Sequence, residues 1–364
     1  MKVSFAHMGT SPIAFEMLLQ DLGHEVIYPP KPSERTLSLG VQYAPEFACI
    51  PFKIVLGTYV ELLMAGAETL VSAGGYGPCR AGFYGEMHRR ILQDVGYDFE
   101  LIFFFPPLKK PADFYRKLLK LKGKNSWRTL IYAVRKAWLM LQTLDDLEIR
   151  SHQVRARELK RRDTTAAFRK GLTYLREARS FSEIKEARAA ALEELEKVER
   201  DDTREPLKVG IIGEIYVQLE PFANFHIEEL LGELGVETRR SIFLTNFTRH
   251  DILSAAGDKT AIKLAQSYLG QKIGGHGQNS VGDIIRFSQS GYDGVVQLAP
   301  FTCIPEIVAK SIIPYLSKKF DIPVFTFFID EQTGQAGVET RLEAFVDLMH
   351  QRRARKREMI QQAG

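Results

Sequence analysis

The sequence predicts an α/β protein: two Rossmann-like lobes with parallel sheets flanking a cleft, plus an inserted helical segment. Three observations predict it. Short apolar strand-like runs alternate with helix-length stretches over residues 1–108 and again over 206–364, the pattern of a parallel sheet. Between them, over 109–205, Pro and Gly nearly vanish, Lys, Arg, Glu and Leu dominate, and leucines recur at helical spacing. Each outer segment also carries a Phe-x-Cys-Ile-Pro element: Phe47-Ala48-Cys49-Ile50-Pro51 and Phe301-Thr302-Cys303-Ile304-Pro305.

In the first lobe, Val3-Ser4-Phe5-Ala6 reads as a strand. Residues 12–22 read as an amphipathic helix ending at Gly23, where a glycine commonly follows a helix. His24-Glu25-Val26-Ile27-Tyr28 is a second strand, stopped by Pro29-Pro30, and a long loop containing Cys49 follows. Pro51 suits the first turn of a helix over 51–65. Residues 68–73 form a third strand running into Gly74-Gly75-Tyr76-Gly77-Pro78-Cys79-Arg80. A helix over 85–95 and a strand over 99–105 complete the lobe.

In the middle segment, Leu118-Leu119-Leu121, Leu130-Ile131-Val134, Trp138-Leu139-Leu141 and Leu144-Leu147 mark helices, and Glu199-Arg200-Asp201-Asp202 ends the segment. The second lobe opens with Leu207-Lys208-Val209-Gly210-Ile211-Ile212-Gly213, a buried strand entering a glycine turn. Helices are expected over 224–234, 251–269, 280–289, 305–320 and 339–355. Strands are expected from Val236, over 294–298 and over 323–330.

The totals exclude several classes. A chain of 364 residues has room for two cores. No run of about 18 apolar residues occurs, so no membrane partner is expected. The first residues read as a strand and not as a secretory signal, which makes cytoplasmic the expected compartment. A formal charge of +4 gives no reason to expect a nucleic-acid partner. The densest basic cluster, Arg155, Arg157, Lys160, Arg161 and Arg162, reads as a solvated helix face, with a docking face for an acidic partner or phosphate as the functional alternative.

Three cysteines do not make a disulfide framework. In a reducing compartment they serve metals or chemistry, or are small buried hydrophobes. Here each falls in a Pro-flanked turn, Cys79 and Cys303 closely following predicted strands. Ligands of parallel sheets gather at the carboxyl ends of strands, so Cys49, Cys79 and Cys303 are expected to meet between the lobes. Thiolate is the ligand that iron–sulfur clusters select, and three thiolates on a four-iron cube leave one iron open. Zinc is the second metal option and needs a fourth ligand, His7, His24 or His276.

Weaker signals surround these. Gly274-Gly275-His276-Gly277 opens a predicted helix whose amides suit an anion, and His276 suits proton transfer; an exposed tight turn is the plain alternative. Gly9-Thr10-Ser11 lacks the spacing of a phosphate fingerprint. Asp330 and Glu331 serve as acid–base groups or pair with Arg341. Lys53 and Arg80 are placed to lower thiol pKa or to offset a cluster's charge. Together with His276, Glu306 is the candidate catalytic group near the cysteines.

These residues resemble the 2-hydroxyacyl-CoA dehydratase and benzoyl-CoA reductase subunits, and within them the CoA-protein-activase-like branch. The resemblance rests on 45–53, 74–80, 274–277, 303–306 and 330–345. It implies a [4Fe-4S] cluster held by Cys49, Cys79 and Cys303, oxygen-sensitive, with an open iron that meets an acyl-CoA or another small ligand. It implies a separate ATP-dependent activator that injects one electron, after which a ketyl radical loses water; reductase relatives use the same electron differently. The dehydratases pair unlike subunits, so a homodimer or heterodimer is expected. The chain lacks the Asp-Gly-Gly phosphate signatures of the activator, so it is not expected to hydrolyse ATP. Whether it is an enzyme stays open. The competing functions are an accessory electron-transfer subunit docking the activator, and a cluster-free binding protein.

Overall fold

The computed structural model describes residues 1–74, 79–105, 107, 108, 110–249 and 258–363. The turn residues Gly75, Tyr76, Gly77 and Pro78, and the start of the helix expected over 251–269, lie outside the described residues.

In the N-terminal lobe the order is β1 (Lys2–Phe5), α1 (Pro12–Asp21), β2 (Glu25–Val26), α2 (Glu34–Tyr43), α3 (Ile50–Met64), β3 (Thr69–Ala73), a 3-10 turn (Arg80–Phe83), α4 (Tyr84–Asp94) and β4 (Glu100–Phe104). Four helices follow: α5 (Pro111–Lys122), α6 (Trp127–Arg155), α7 (Asp163–Glu177) and α8 (Phe181–Glu196). The C-terminal lobe has β5 (Leu207–Gly213), α9 (Ile215–Leu219), α10 (Ile227–Glu233), β6 (Val236–Arg240), α11 (Leu244–Phe247), α12 (Lys259–Ala265), α13 (Gly277–Gln289), β7 (Gly294–Pro300), α14 (Ile304–Lys319), β8 (Val324–Ile329) and α15 (Gln335–Ala363).

The two sheets are parallel and have the same order, β2-β1-β3-β4 and β6-β5-β7-β8. In each, the strand order reverses between the first and third strands of the lobe, so the crevice opens at the carboxyl ends of β1 and β3, and of β5 and β7. The fold class is the expected one, with differences in detail. The stretch read as a long loop before Cys49 holds α2. Its Ser33 caps the helix, and Thr36 returns the bond in a capping box. Among the described residues of the stretch expected over 251–269, α12 ends at Ala265, earlier than expected; α9 and α11 are additions, and α15 runs well past the expected end.

Helix α3 explains why the lobes are not independent. It is buried nearly all round, the signature of a core helix. Phe52, Leu56, Tyr59, Val60 and Leu63 pack into the N-terminal lobe. Ile50 and Ile54 instead join the C-terminal core with Leu207, Val209, Ile211, Val296, Leu298 and Phe327. Helix α6 is a second tie. Its Met140, Leu141, Leu144 and Leu147 pack with Ile13, Ala14 and Met17 of α1, and with Leu219 and Leu244 from the other lobe.

Polar groups on the same helix reach both lobes. Glu148 accepts a hydrogen bond from the Thr10 hydroxyl at 2.8 Å and pairs with Arg240. Arg240 also lies 3.3 Å from Glu228. The glycine turn after β1 is therefore already filled by the protein's own acids: Gly9 N donates to Glu220 at 3.0 Å. The weak phosphate-loop reading of Gly9-Thr10-Ser11 gives way to an interlobe lock.

Candidate functional site

Each cysteine occupies the same local position. Cys49 is the N-cap residue of α3, Cys79 of the 3-10 turn before α4, and Cys303 of α14, and none of the three thiols is used as a capping acceptor. Pro51 and Pro305 lie in the first turns of their helices, where the missing N–H costs nothing and the fixed φ favours the helix. The three thiols are free, Cys49 and Cys303 buried and Cys79 half-buried.

The loops that carry them are tied together across the lobes. Arg80 donates to Phe47 O at 3.0 Å, to Thr302 O at 2.6 Å and to the Thr302 hydroxyl at 2.9 Å. The Thr302 hydroxyl also donates to Phe47 O at 3.1 Å. Thr302 has a φ of +65°, a left-handed conformation that a β-branched residue adopts only under constraint. Arg80 supplies that constraint one residue before Cys303. On the other side of Cys79, a Cβ on Gly275 would stand 3.8 Å from its sulfur and 2.9 Å from Pro305. The Gly274-Gly275-His276 turn is thus laid directly on Cys79.

Burial dominates the electrostatics. It pushes the Cys49 thiol up to about 11, and it raises Cys79 and Cys303 as well. The N–H groups of Phe52, Ala81 and Glu306 act in the opposite direction, as helix starts do for thiolates. Arg80 also favours the thiolate of Cys49 and Cys79. Lys53 does not share that role. Its ammonium is buried and committed to Glu331 at 2.5 Å and to Glu46 O at 3.1 Å. Asp330, by contrast, closes its own turn by accepting from Gln332 N and the Thr333 hydroxyl.

Two residues at the centre went unremarked in the sequence. Glu214 follows β5 directly, and its charge acts on all three cysteines. Burial raises its carboxyl to about 7. Tyr84 opens α4, and its hydroxyl lies 2.5 Å from Cys49 Sγ. The signal for Glu214 was its place just past a buried strand and a glycine turn, where sheet ligands collect.

Of the two candidate catalytic residues, Glu306 lies in the first turn after Cys303, and His276 follows the Gly275 turn that lies against Cys79. Glu306 is 1 % exposed and accepts from Ser280 at 3.0 Å and Gln297 at 2.8 Å, so it holds α13, β7 and α14 in register. Burial raises its carboxyl to about 7. His276 is the N-cap residue of α13 and packs on Phe247 with ring centroids 5.7 Å apart. Burial alone lowers its imidazole to about 4. The other histidines considered for zinc are engaged: His7 bonds Glu220 at 2.7 Å, and His24 bonds Leu121 O at 2.8 Å. Among the described residues no group of three or more His, Cys, Asp or Glu side chains is arranged to hold a metal ion.

The surface around the site is apolar. Phe47 is 69 % exposed, Phe83 71 %, Phe301 55 % and Ile304 52 %, one or more from every cysteine loop. The basic cluster lies elsewhere and is largely spent within the chain. Arg157 pairs with Glu237, Lys160 with Asp163, and Arg161 and Arg162 with Glu233, while Arg155 is buried. A cavity of about 280 Å³ beside Lys208, lined also by Arg150, Arg157 and Arg200, touches none of the cysteines.

No helix among the described residues is long and apolar enough to cross a membrane. No family model matches the chain, and none of the curated proteins compared with it does.

Proposed function

We propose that this chain is an iron–sulfur protein of the 2-hydroxyacyl-CoA dehydratase type, in which Cys49, Cys79 and Cys303 hold a [4Fe-4S] cluster between the lobes. The observation that carries this reading is the shared placement of its three thiols: each is the N-cap residue of a helical turn, and Arg80 and Thr302 tie their loops together across the lobes. The donor set fits such a group. Ligands of a cube bind separate irons and need not crowd together as ligands of one ion do, so the lack of a ready single-ion site is compatible with it. Binding would displace the proton that burial retains on each thiol, so loading of the site should strengthen as pH rises.

When bound, the group would supply low-potential one-electron chemistry at an open iron. The chain's own residues would do the rest. Arg80 locks the loops of Cys49 and Cys303 together and offsets negative charge. The Tyr84 hydroxyl, 2.5 Å from Cys49 Sγ, would donate to a ligating thiolate there, and hydrogen bonds to ligating sulfur tune reduction potential. The apolar rim of Phe47, Phe83, Phe301 and Ile304 supports a partner face, suited to an ATP-dependent electron donor or a second subunit. An acyl-CoA is the proposed substrate class.

The test is iron and acid-labile sulfide per chain on anaerobically purified protein, with Cys303→Ser alongside. About four of each per chain, strongly reduced in the variant, supports the reading. No iron in the parent, with the variant equally well folded, sinks it.

A further inference from the structure

We propose that α5 and the first turns of α6 form a docking face for an anionic lipid surface, with cations at the headgroups and apolar side chains inserted beside them.

The two helices carry more apolar surface than the fold uses. Their inner faces are spent on the core: Leu118 packs against the cluster of Leu22, Leu130 and Ala133, and Leu121 joins Val3, Leu19 and Ile102. A surface helix needs one such stripe, and each of these has a second. Tyr115 and Leu119 are spaced to share a face of α5, and Trp127, Ile131 and Val134 a face of α6, and all five are exposed. The Tyr115 and Trp127 rings stack with centroids 6.1 Å apart, which joins the two stripes.

The charge around them is one-sided. Residues 110–135 contain eight Lys and Arg and a single acid, Asp113. Asp113 is taken by Arg116 and Lys117, and Lys120 reaches Glu100. Lys122 lies over the Trp127 ring at 5.5 Å. Lys124, Arg128 and Arg135 are exposed, and among the described residues no carboxylate pairs with them. The 155–162 cluster, by contrast, is spent on Glu237, Asp163 and Glu233.

Size and chemistry together select a lipid surface. Trp127 to Val134 covers only about 10 Å of helix. A stable protein interface buries about 800 Å² on each side with about 20–30 residues, more than five side chains on two short stripes supply. A lipid surface needs only a few apolar groups inserted below the headgroups and cations beside anionic lipid. Trp and Tyr rings with Lys and Arg next to them suit that depth. The absence of a spanning run does not bear on this, because an interfacial face lies in the headgroup plane and crosses nothing.

The experiment is co-sedimentation of the full chain with vesicles of phosphatidylcholine, alone or with about 30 % phosphatidylserine. Binding to the anionic vesicles should be at least about tenfold stronger and should fall as salt rises to about 0.5 M. Lys124→Gln/Arg128→Gln/Arg135→Gln should weaken it about a hundredfold, since each cation near the surface is worth about fivefold. Ile131→Ser/Val134→Ser, at exposed positions that leave the core intact, should weaken it at least about fivefold. Trp138→Phe leaves Trp127 as the only tryptophan, and its emission should shift to the blue on anionic vesicles. A parent that ignores anionic vesicles, or binding unchanged in either multiple variant, overturns the proposal. A Trp127 response to a single-stranded oligonucleotide without vesicle binding also overturns it, assigning the face to nucleic acid. So does a parent dimer that Ile131→Ser/Val134→Ser dissociates without vesicle binding, which assigns the face to a second copy of the chain.

Discussion

Removing Glu148 tests the claim that α6 locks the two lobes through buried charge. Its carboxylate takes the Thr10 hydroxyl on one side and Arg240 on the other. The Arg240 side chain is 3 % exposed, so Glu148→Ala strands a guanidinium where water cannot solvate it. Breaking a buried pair by deleting one member costs about 3–5 kcal/mol. Glu228, 3.3 Å from Arg240, retains part of the compensation, while the Thr10 hydroxyl loses its partner at a cost of about 1 kcal/mol. The net expectation is a loss of about 3 kcal/mol, read from urea unfolding at neutral pH. Arg240→Met should be costly alone for the same reason, because it orphans Glu148. The double variant Glu148→Ala/Arg240→Met should recover about 2 kcal/mol relative to the sum of the singles. A single-variant loss under about 1 kcal/mol with no coupling refutes the argument, and would mean that water already reaches Arg240.

Two further outcomes are expected. His88 is buried against Phe52, Tyr59 and Tyr84, and burial lowers its imidazole to about 3. The unfolded chain therefore binds the proton first, near pH 6.5, and stability tied to His88 is intact above that pH and lost below it, by up to about 1.4 kcal/mol per pH unit until the folded group titrates. The stability difference between the parent and His88→Gln should shift in favour of the variant as pH falls from 6.5 to 4; a difference that does not change with pH contradicts this. For the thiols, metal-free folded protein at pH 8 should carry roughly a hundredfold less Cys49 thiolate than a free cysteine, since Cys49 stands about two pKa units above its ordinary 9. Alkylation of the Cys49 peptide by iodoacetamide, followed by mass spectrometry, should be at least about tenfold slower than in urea. Equal rates would show that the sulfur is not buried in solution.

Much of the fold was legible because local signals agreed. Gly23 and Gly235 end helices, and β5 and β7, each broken by a single polar residue, Lys208 and Gln297, otherwise read as the apolar runs of buried parallel strands. Helix α2 was missed because Pro29, Pro30 and Pro32 precede it and Gly40 interrupts it. Gly40 is not a breaker here. A Cβ there would meet Lys53 O at 1.8 Å, and one on Gly57 would meet Thr36 O at 1.8 Å, so these glycines let α2 and α3 pack backbone to backbone. A single sequence does not separate that use from a turn.

The site was half legible. The cysteines announced themselves by rarity and by flanking prolines. Glu214, Tyr84 and the Arg80–Thr302 tie did not, because their partners lie far off in the chain: Arg80 and Thr302 are separated by 222 positions. Lys53 looked like a free cation for the same reason, its partner Glu331 being 278 positions away. Charge alone does not reveal where it is spent.

The double allegiance of α3 bears on how the chain is made. Synthesis runs from the N-terminus, and domains generally fold as they emerge. The strands of the first sheet can pair early, but Ile50 and Ile54 have no core to enter until β5 and β7 exist. A nascent chain therefore displays an apolar stripe beside an unpaired Cys49 through the whole translation of the helical segment. That interval sets an order of assembly: Cys303 emerges last of the three, so any group held by all three thiols could close only after β7 has been made.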